Sequence, residues 1–329
     1  MSLRCLLSDE LSNVAMHVRK LVGTRHPLLK TARGLVYDGK YSLQTRGLII
    51  LLMSKAAGPS SQSHLAMADQ IGGIYPSQRS LAEITEMIHT ANLIHKGVVN
   101  LSDLDPALDG PVKDMEFGNK MAVLSGDFLL ANACTGLAEL NNTEVVEIIS
   151  SAIGDLMEAE FTGLQDNNGD ALLPDTVCFA DWKKQTFLSL GSLLAKGCQA
   201  AMELASHSED IKQLAFAYGE NMTYAHQMYA DLQPFVKPDK HIEQFCITSA
   251  PVIKYVEANG RSVLEDDRKQ GHTVSSKKIV QYVRASQVIE ECRSLVHEFE
   301  TSATRAVSQF PMCEARTALV NMVQAAVRS

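Results

Sequence analysis

Apolar residues recur at helical spacing along most of this chain. Leu11, Val14, Ala15, Val18, Leu21 and Val22 form a stripe that closes at Gly23, a residue suited to ending a helix. Ser80 and Glu83 have the spacing of a capping box, and Leu81, Ile84, Ile88 and Ala91 line one face behind them. A further helix is expected from Asn141 or Thr143, carrying Val145, Ile148, Ile149, Ala152, Leu156 and Met157. Others are expected over residues 187–204, 213–229 and 280–299. No stretch alternates at period two for long enough to argue a strand. Breaks fall at Gly58-Pro59, at 105–111, at 166–174 and at 233–238, all of loop size. The expected fold class is therefore all-α, a single large helical bundle occupying residues 1–329.

Composition narrows what such a bundle can do. Hydrophobic residues at 46% and charged ones at 21% are ordinary for a globular chain. A net charge of −8 and a pI near 5.7 argue against a nucleic-acid partner, which would need basic excess. The seven cysteines form no C-x-x-C pair, which suits buried thiols better than a disulfide frame or zinc site. The longest apolar run, 48–53 with Ala56 and Ala57 behind it, contains Lys55 and falls short of the roughly 20 residues a bilayer needs. No membrane span is expected. The N-terminal residues show neither a signal-peptide core nor an arginine-rich transit segment.

The familiar chemical motifs are missing. There is no G-x-G-x-x-G, P-loop, H-E-x-x-H or G-x-S-x-G. Gly191 to Gly197 superficially suggests a phosphate loop, but its lysine, Lys196, precedes the glycine within a helical pattern, so packing is the better reading. Asp103, Asp105 and Asp109 could in principle hold a cation. Divalent ions want several convergent oxygens, and a proline-containing acidic loop is more often simply solvated.

Four segments, in order, nonetheless carry a resemblance. The first, residues 81–95, includes Glu86, His89, Ala91 and His95. The second is Phe117, Gly118, Asn119 and Lys120, followed by Ala122, Val123, Leu124, Gly126, Asp127, Phe128, Leu129 and Leu130. The third runs from Ser192 to Cys198 and the fourth from Thr248 to Val252. Together they resemble the trans-isoprenyl (polyprenyl) diphosphate synthase family, most strongly over 26–251, with the second close to its F-G-N-K-x-A-V-L-x-G-D-[FY]-L-L run. The resemblance implies a bundle of long helices around a central cavity.

Active members of that family carry two D-D-x-x-D motifs. Aspartates at i and i+4 share a helix face, so two such helices can hold Mg²⁺ against a leaving diphosphate. Here the first motif falls on Lys96, Gly97 and Asn100, and the second on His226, Gln227 and Ala230. All six expected carboxylates are gone. Asp231 lies one residue past the second motif, about 100° around a helix from the wanted face. The family's lysine and threonine ahead of S-L-L correspond to Ser189 and Leu190, and its arginine pair to Leu108 and Asp109. Lys40 and Arg46 match its isopentenyl-diphosphate loop only loosely, and with His89 they are the candidate residual diphosphate-binding residues. Ala91 matches the small residue of long-chain producers, where a bulky side chain would plug the product tunnel.

An intact framework with both motifs erased resembles the non-catalytic subunits of heteromeric, decaprenyl-type synthases. The resemblance implies that this chain binds no cofactor, that Mg²⁺ sits in a catalytic polyprenyl diphosphate synthase subunit paired with it, and that the two form a heterotetramer. It also implies a mitochondrial matrix setting and a role in making the ubiquinone side chain. The alternative is a scaffold or allosteric protein that still binds a prenyl diphosphate, with Lys96 as one contact. An enzyme rebuilt around His89, His95 or His226 lacks a third partner at suitable spacing.

Overall fold

The computed structural model describes residues 26–28, 45–60, 71–161, 177–237, 246–260 and 276–328. The expected stripe from Leu11 to Gly23, and Lys40, lie outside them. Among the described residues there is no strand, only an isolated bridge between Ile71 and Ile74. The chain divides into two compact units: residues 1–149 with 200–207, and residues 150–199 with 208–329.

In the first unit α1 (Thr45–Ala57) and α3 (Val112–Glu139) both pack on α2 (Pro76–His95). Helix α2 begins with Pro76, which has no N–H to lose at that position. The Gln78 side chain accepts a hydrogen bond from the Tyr75 N–H at 3.1 Å and donates to the Ala201 carbonyl at 2.8 Å. The expected capping box at Ser80 and Glu83 is therefore incorrect. A turn of helix already precedes Ser80, because proline and Gln78 together satisfy the start earlier.

Helix α3 is 28 residues long and was not foreseen from apolar spacing. Its buried positions, Met115, Gly118, Ala122, Gly126, Leu129, Ala133 and Leu137, keep helical spacing, but four of the seven are Gly or Ala. A Cβ on Gly126 would lie 2.1 Å from His95 Nε2, and one on Gly118 would lie 2.4 Å from the His26 ring. These glycines make room for side chains rather than relieve backbone strain. Leu28, Ala91, Ile94, Ala122 and Leu129 form the packed seam.

The second unit contains most of α4 (Thr143–Phe161), then α5 (Phe179–Thr186), a π-helical turn (Phe187–Gly191) and the start of α6 (Ser192–Leu204). It continues with α7 (Glu209–Val236), α8 (Ala250–Asn259), α9 (Ser276–Ala285), α10 (Val288–Val307) and α11 (Glu314–Ala326). Helices α7 and α10 form its most extensive pair. Their seam holds Trp182, Tyr224, Met228, Leu232, Val296 and Phe299, with Tyr224 and Phe299 rings 5.2 Å apart. At Gly219 a Cβ would meet the Ala195 backbone at 2.7 Å, so glycine sets how closely α7 approaches α6.

Helix α7 runs through the expected break at Pro234. Proline removes the N–H that would reach the Ala230 carbonyl, a loss confined to the last turn of the helix. Arg284 donates to the Phe235 carbonyl at 2.9 Å and to the Lys237 carbonyl at 2.7 Å, satisfying the exposed end. The single helix expected over 280–299 is two, α9 and α10, divided at Ser286 and Gln287.

Candidate functional site

The first degenerate motif sits where α2 ends. His95 is the last helical residue, Lys96 is the C-cap, and Lys96 and Gly97 form a turn. Asn100 then caps a separate 3₁₀ turn, Leu101–Asp103, its side-chain oxygen accepting from Ser102 N–H at 3.2 Å. The three positions therefore occupy a cap, a turn and a new start, not one helix face.

Asn119 of α3 holds this arrangement. Its Oδ1 accepts from Val99 N–H at 2.9 Å while its Nδ2 donates to the Val99 carbonyl at 2.8 Å. His26 closes the set. Its Nδ1 accepts from Leu28 N–H at 3.1 Å, so Nε2 carries the proton and donates to Asn119 Oδ1 at 3.1 Å. Burial holds the His26 pKa below its usual value, opposed by the Asn119 bond. Gly97 is buried here. A Cβ would lie 3.0 Å from the Ile94 carbonyl and 3.5 Å from Leu28 N. Neither His26 nor the role of Asn119 follows from the sequence, because the spelling of the second segment does not say which atoms it binds.

Arg46 and His89 do come together: Arg46 Nη1 donates to His89 Nε2 at 3.0 Å. Between them Glu86 Oε1 accepts from Gly47 N–H at 2.6 Å. Burial pushes Glu86 up to about 7, despite the Gly47 bond and the Arg46 charge. Burial first, then the Arg46 and Lys96 charges, hold His89 down to about 3. Arg46 Nε and Glu86 Oε2 are buried without a hydrogen-bond partner. Ala91 is fully buried in the seam with Ala122 and Leu129.

This cluster gives a sign to pH dependence. A raised carboxyl pKa favours the folded state below its unfolded value, and that contribution is lost as pH rises through the folded pKa. A lowered His89 acts oppositely, losing stability as pH falls from 6.5 toward 3. Between pH 6.5 and 8 His89 still regains about 0.4 kcal/mol as the unfolded imidazole finishes losing its proton, so comparison with a Glu86 variant isolates the Glu86 contribution. Wild type should lose about 1 kcal/mol of unfolding free energy between pH 6.5 and 8 that Glu86→Gln does not lose. Urea unfolding at the two pH values measures this, and parallel losses in both proteins would refute it.

The second degenerate motif lies in mid-helix on α7. His226 and Ala230 are exposed, and Gln227 donates to Asp231 Oδ1 at 2.7 Å. Asp231 is fully employed. Its Oδ2 also accepts from Trp182 Nε1 at 2.8 Å and from Ala250 N–H, the first residue of α8, at 2.9 Å. Burial raises its pKa against these three bonds. Lys196 sits 2.6 Å from Asp155 Oδ2, which also accepts from Ser192, so the loop-like glycine pair at 191–197 serves helix packing.

Mg²⁺ does not fit either motif. The donor sets offer a cationic lysine, a glycine, an amide pair, an imidazole and an alanine where hard oxygens are needed. Among the described residues no three His, Cys, Asp or Glu converge as metal ligands. Asp103 accepts from Asn100 at 2.9 Å, Asp105 from Ala107 N–H at 2.9 Å, and Asp109 from Asp105 N–H at 3.0 Å. The acidic loop is spent on its own turns.

The fold defines the class. The chain aligns over 99% of its length, and 97% of the other, with a decaprenyl diphosphate synthase from Rhodobacter capsulatus at TM-score 0.70 and 20% identity. An Arabidopsis medium/long-chain length prenyl pyrophosphate synthase aligns at TM-score 0.64 and 25% identity, covering 99% of both chains. The polyprenyl synthetase family model matches residues 28–281, and this chain belongs to that family. It is 50% identical to the all trans-polyprenyl-diphosphate synthase PDSS2 of Mus musculus, covering 100% of this chain and 83% of the relative. It is 31% identical to a probable mitochondrial hexaprenyl pyrophosphate synthase of Neurospora crassa, covering 96% and 79%.

Proposed function

We propose that this chain is the non-catalytic subunit of a heteromeric polyprenyl diphosphate synthase of decaprenyl type. Its partner is a catalytic subunit, of the decaprenyl diphosphate synthase subunit 1 type, that keeps both aspartate motifs and binds Mg²⁺. When bound there, the metal stabilises the diphosphate leaving from an allylic substrate as isopentenyl diphosphate adds. The complex is a heterotetramer in the mitochondrial matrix and makes the ubiquinone side chain. Half-identity to a polyprenyl-diphosphate synthase over the whole chain supports the family role, and the mitochondrial designation of the Neurospora relative supports the compartment. One observation carries the non-catalytic part: the first motif has lost both its carboxylates and its helix.

The purified chain with Mg²⁺, farnesyl diphosphate and isopentenyl diphosphate should give product at background level. Co-expression with the catalytic subunit should give long-chain product and co-purification. Product from the lone chain would overturn the proposal.

A second reading, a retained diphosphate-binding role, is favoured by the buried Arg46 Nε that lacks a partner. Calorimetry with farnesyl and isopentenyl diphosphate should then show binding that Arg46→Ala weakens about tenfold or more, as expected for a lost charge-assisted contact. Absence of heat with wild type would dismiss it.

A further inference from the structure

Where α1 meets α2, two polar atoms are buried without a hydrogen-bond partner: Arg46 Nε and Glu86 Oε2. Folded interiors rarely leave such groups unpaired, because each gives up its hydration for nothing. One is a donor on a cation, the other an atom of a carboxyl, and the same helix start holds both.

Gly47 explains how the carboxyl comes to lie there. It is the third residue of α1, and its N–H is one of those that the start of a helix leaves open. Glu86, 1% exposed, closes it through Oε1 at 2.6 Å. A Cβ on Gly47 would lie 2.9 Å from Glu86 Cγ, so the missing side chain is what admits the carboxyl. Arg46 meanwhile sends Nη1 to the neutral His89 ring at 3.0 Å. The buried guanidinium is thus set against an uncharged imidazole and a carboxyl engaged with the backbone.

A bound anion would satisfy both orphaned atoms. Arg46 Nε donates to it directly. Glu86 Oε2 donates only when it carries a proton, since an ionised carboxylate offers acceptors alone. Burial already holds Glu86 up to about 7, so that proton is readily gained near neutrality. Among the described residues Arg46 is the charged group acting on Glu86, and α3 adds none. His89 and Lys96 follow on α2 within about 80° of the same side, and Lys96 acts on His89.

We infer that Glu86 is a proton-donating contact for a diphosphate end held by Arg46, so that the anion and one solvent proton bind together. The proton goes to Oε2 and points at a phosphate oxygen, while Oε1 stays on Gly47. The inference rests on the diphosphate-binding reading above and adds its regulation by pH.

Calorimetry of the full chain, with EDTA present and in buffers of different ionisation heat, counts the protons taken up on binding. The ligands are isopentenyl, farnesyl and inorganic diphosphate. At pH 8 Glu86 is about nine-tenths ionised, so wild type should take up about 0.9 proton that Glu86→Gln does not. At pH 6 the difference should shrink to about 0.1. Glutamine keeps an oxygen for Gly47 and offers a permanent NH₂ in place of Oε2. At pH 8 that variant should therefore bind about tenfold tighter than wild type, whereas loss of a merely structural contact would weaken binding. The linked uptake should be the same for all three ligands, because the contact is to their shared end; uptake with one alone would overturn that assignment. Binding with equal proton uptake by wild type and Glu86→Gln would overturn the inference and leave the diphosphate-binding reading standing. No heat with any ligand would overturn both. Should Glu86→Gln not fold, wild-type uptake no greater at pH 8 than at pH 6 would still overturn the inference.

Discussion

Asp231→Ala should lower the unfolding free energy by about 3–5 kcal/mol, because it strips one acceptor from three donors at once. Trp182 Nε1 and the first N–H of α8 both end on Oδ2, and the Gln227 amide ends on Oδ1. Removing the carboxylate unties α5, α7 and α8 at a single point. For a chain of 329 residues that free energy corresponds to a fall in melting temperature of roughly 4–7 °C. Asp231→Asn keeps an oxygen for Trp182 and Ala250, and Gln227 can turn its amide to accept from the new NH₂. It should recover more than half the loss. A melting temperature for Asp231→Ala within 2 °C of wild type would show that these bonds do not hold the helices together.

Asp231 also shows where sequence reasoning stops. Its position one residue off the motif face was legible. Its partners were not, because Trp182 and Ala250 are distant in sequence and only the tertiary fold brings them near. The same distinction runs through the helices. Long amphipathic stretches such as the one from Thr143 were legible from large apolar residues at helical spacing. Helix α3 was not, since its buried stripe is made of Gly and Ala, which hydrophobic periodicity barely registers. The break at Pro234 misled because arginine capping from α9 lies 49 residues away. The loss of the six carboxylates needed only spelling; the loss of the helix beneath the first three needed coordinates.

That second loss decides what restoration can achieve. Substituting aspartate at 96, 97, 100, 226, 227 and 230 should leave the lone chain without detectable product, although the motifs would then read as D-D-x-x-D. A helical i, i+4 pair of carboxylates needs residues 96–100 to be helical, and the chain turns at Lys96 and Gly97 while Asn119 holds the Val99 backbone outside any helix. Gly97 is the harder obstacle. A Cβ there already crowds the Ile94 carbonyl at 3.0 Å, and the added carboxylate would be buried beside that carbonyl oxygen. Gly97→Asp alone should cost about 3–5 kcal/mol, the range for a buried charge lacking its partner, measured by urea unfolding. Gly97→Ala should cost less, since it adds the contact without the charge. Equal stability of Gly97→Asp and wild type, or prenyl product from the sixfold variant alone, would mean that the segment can refold into the catalytic geometry and that only its side chains had been silenced.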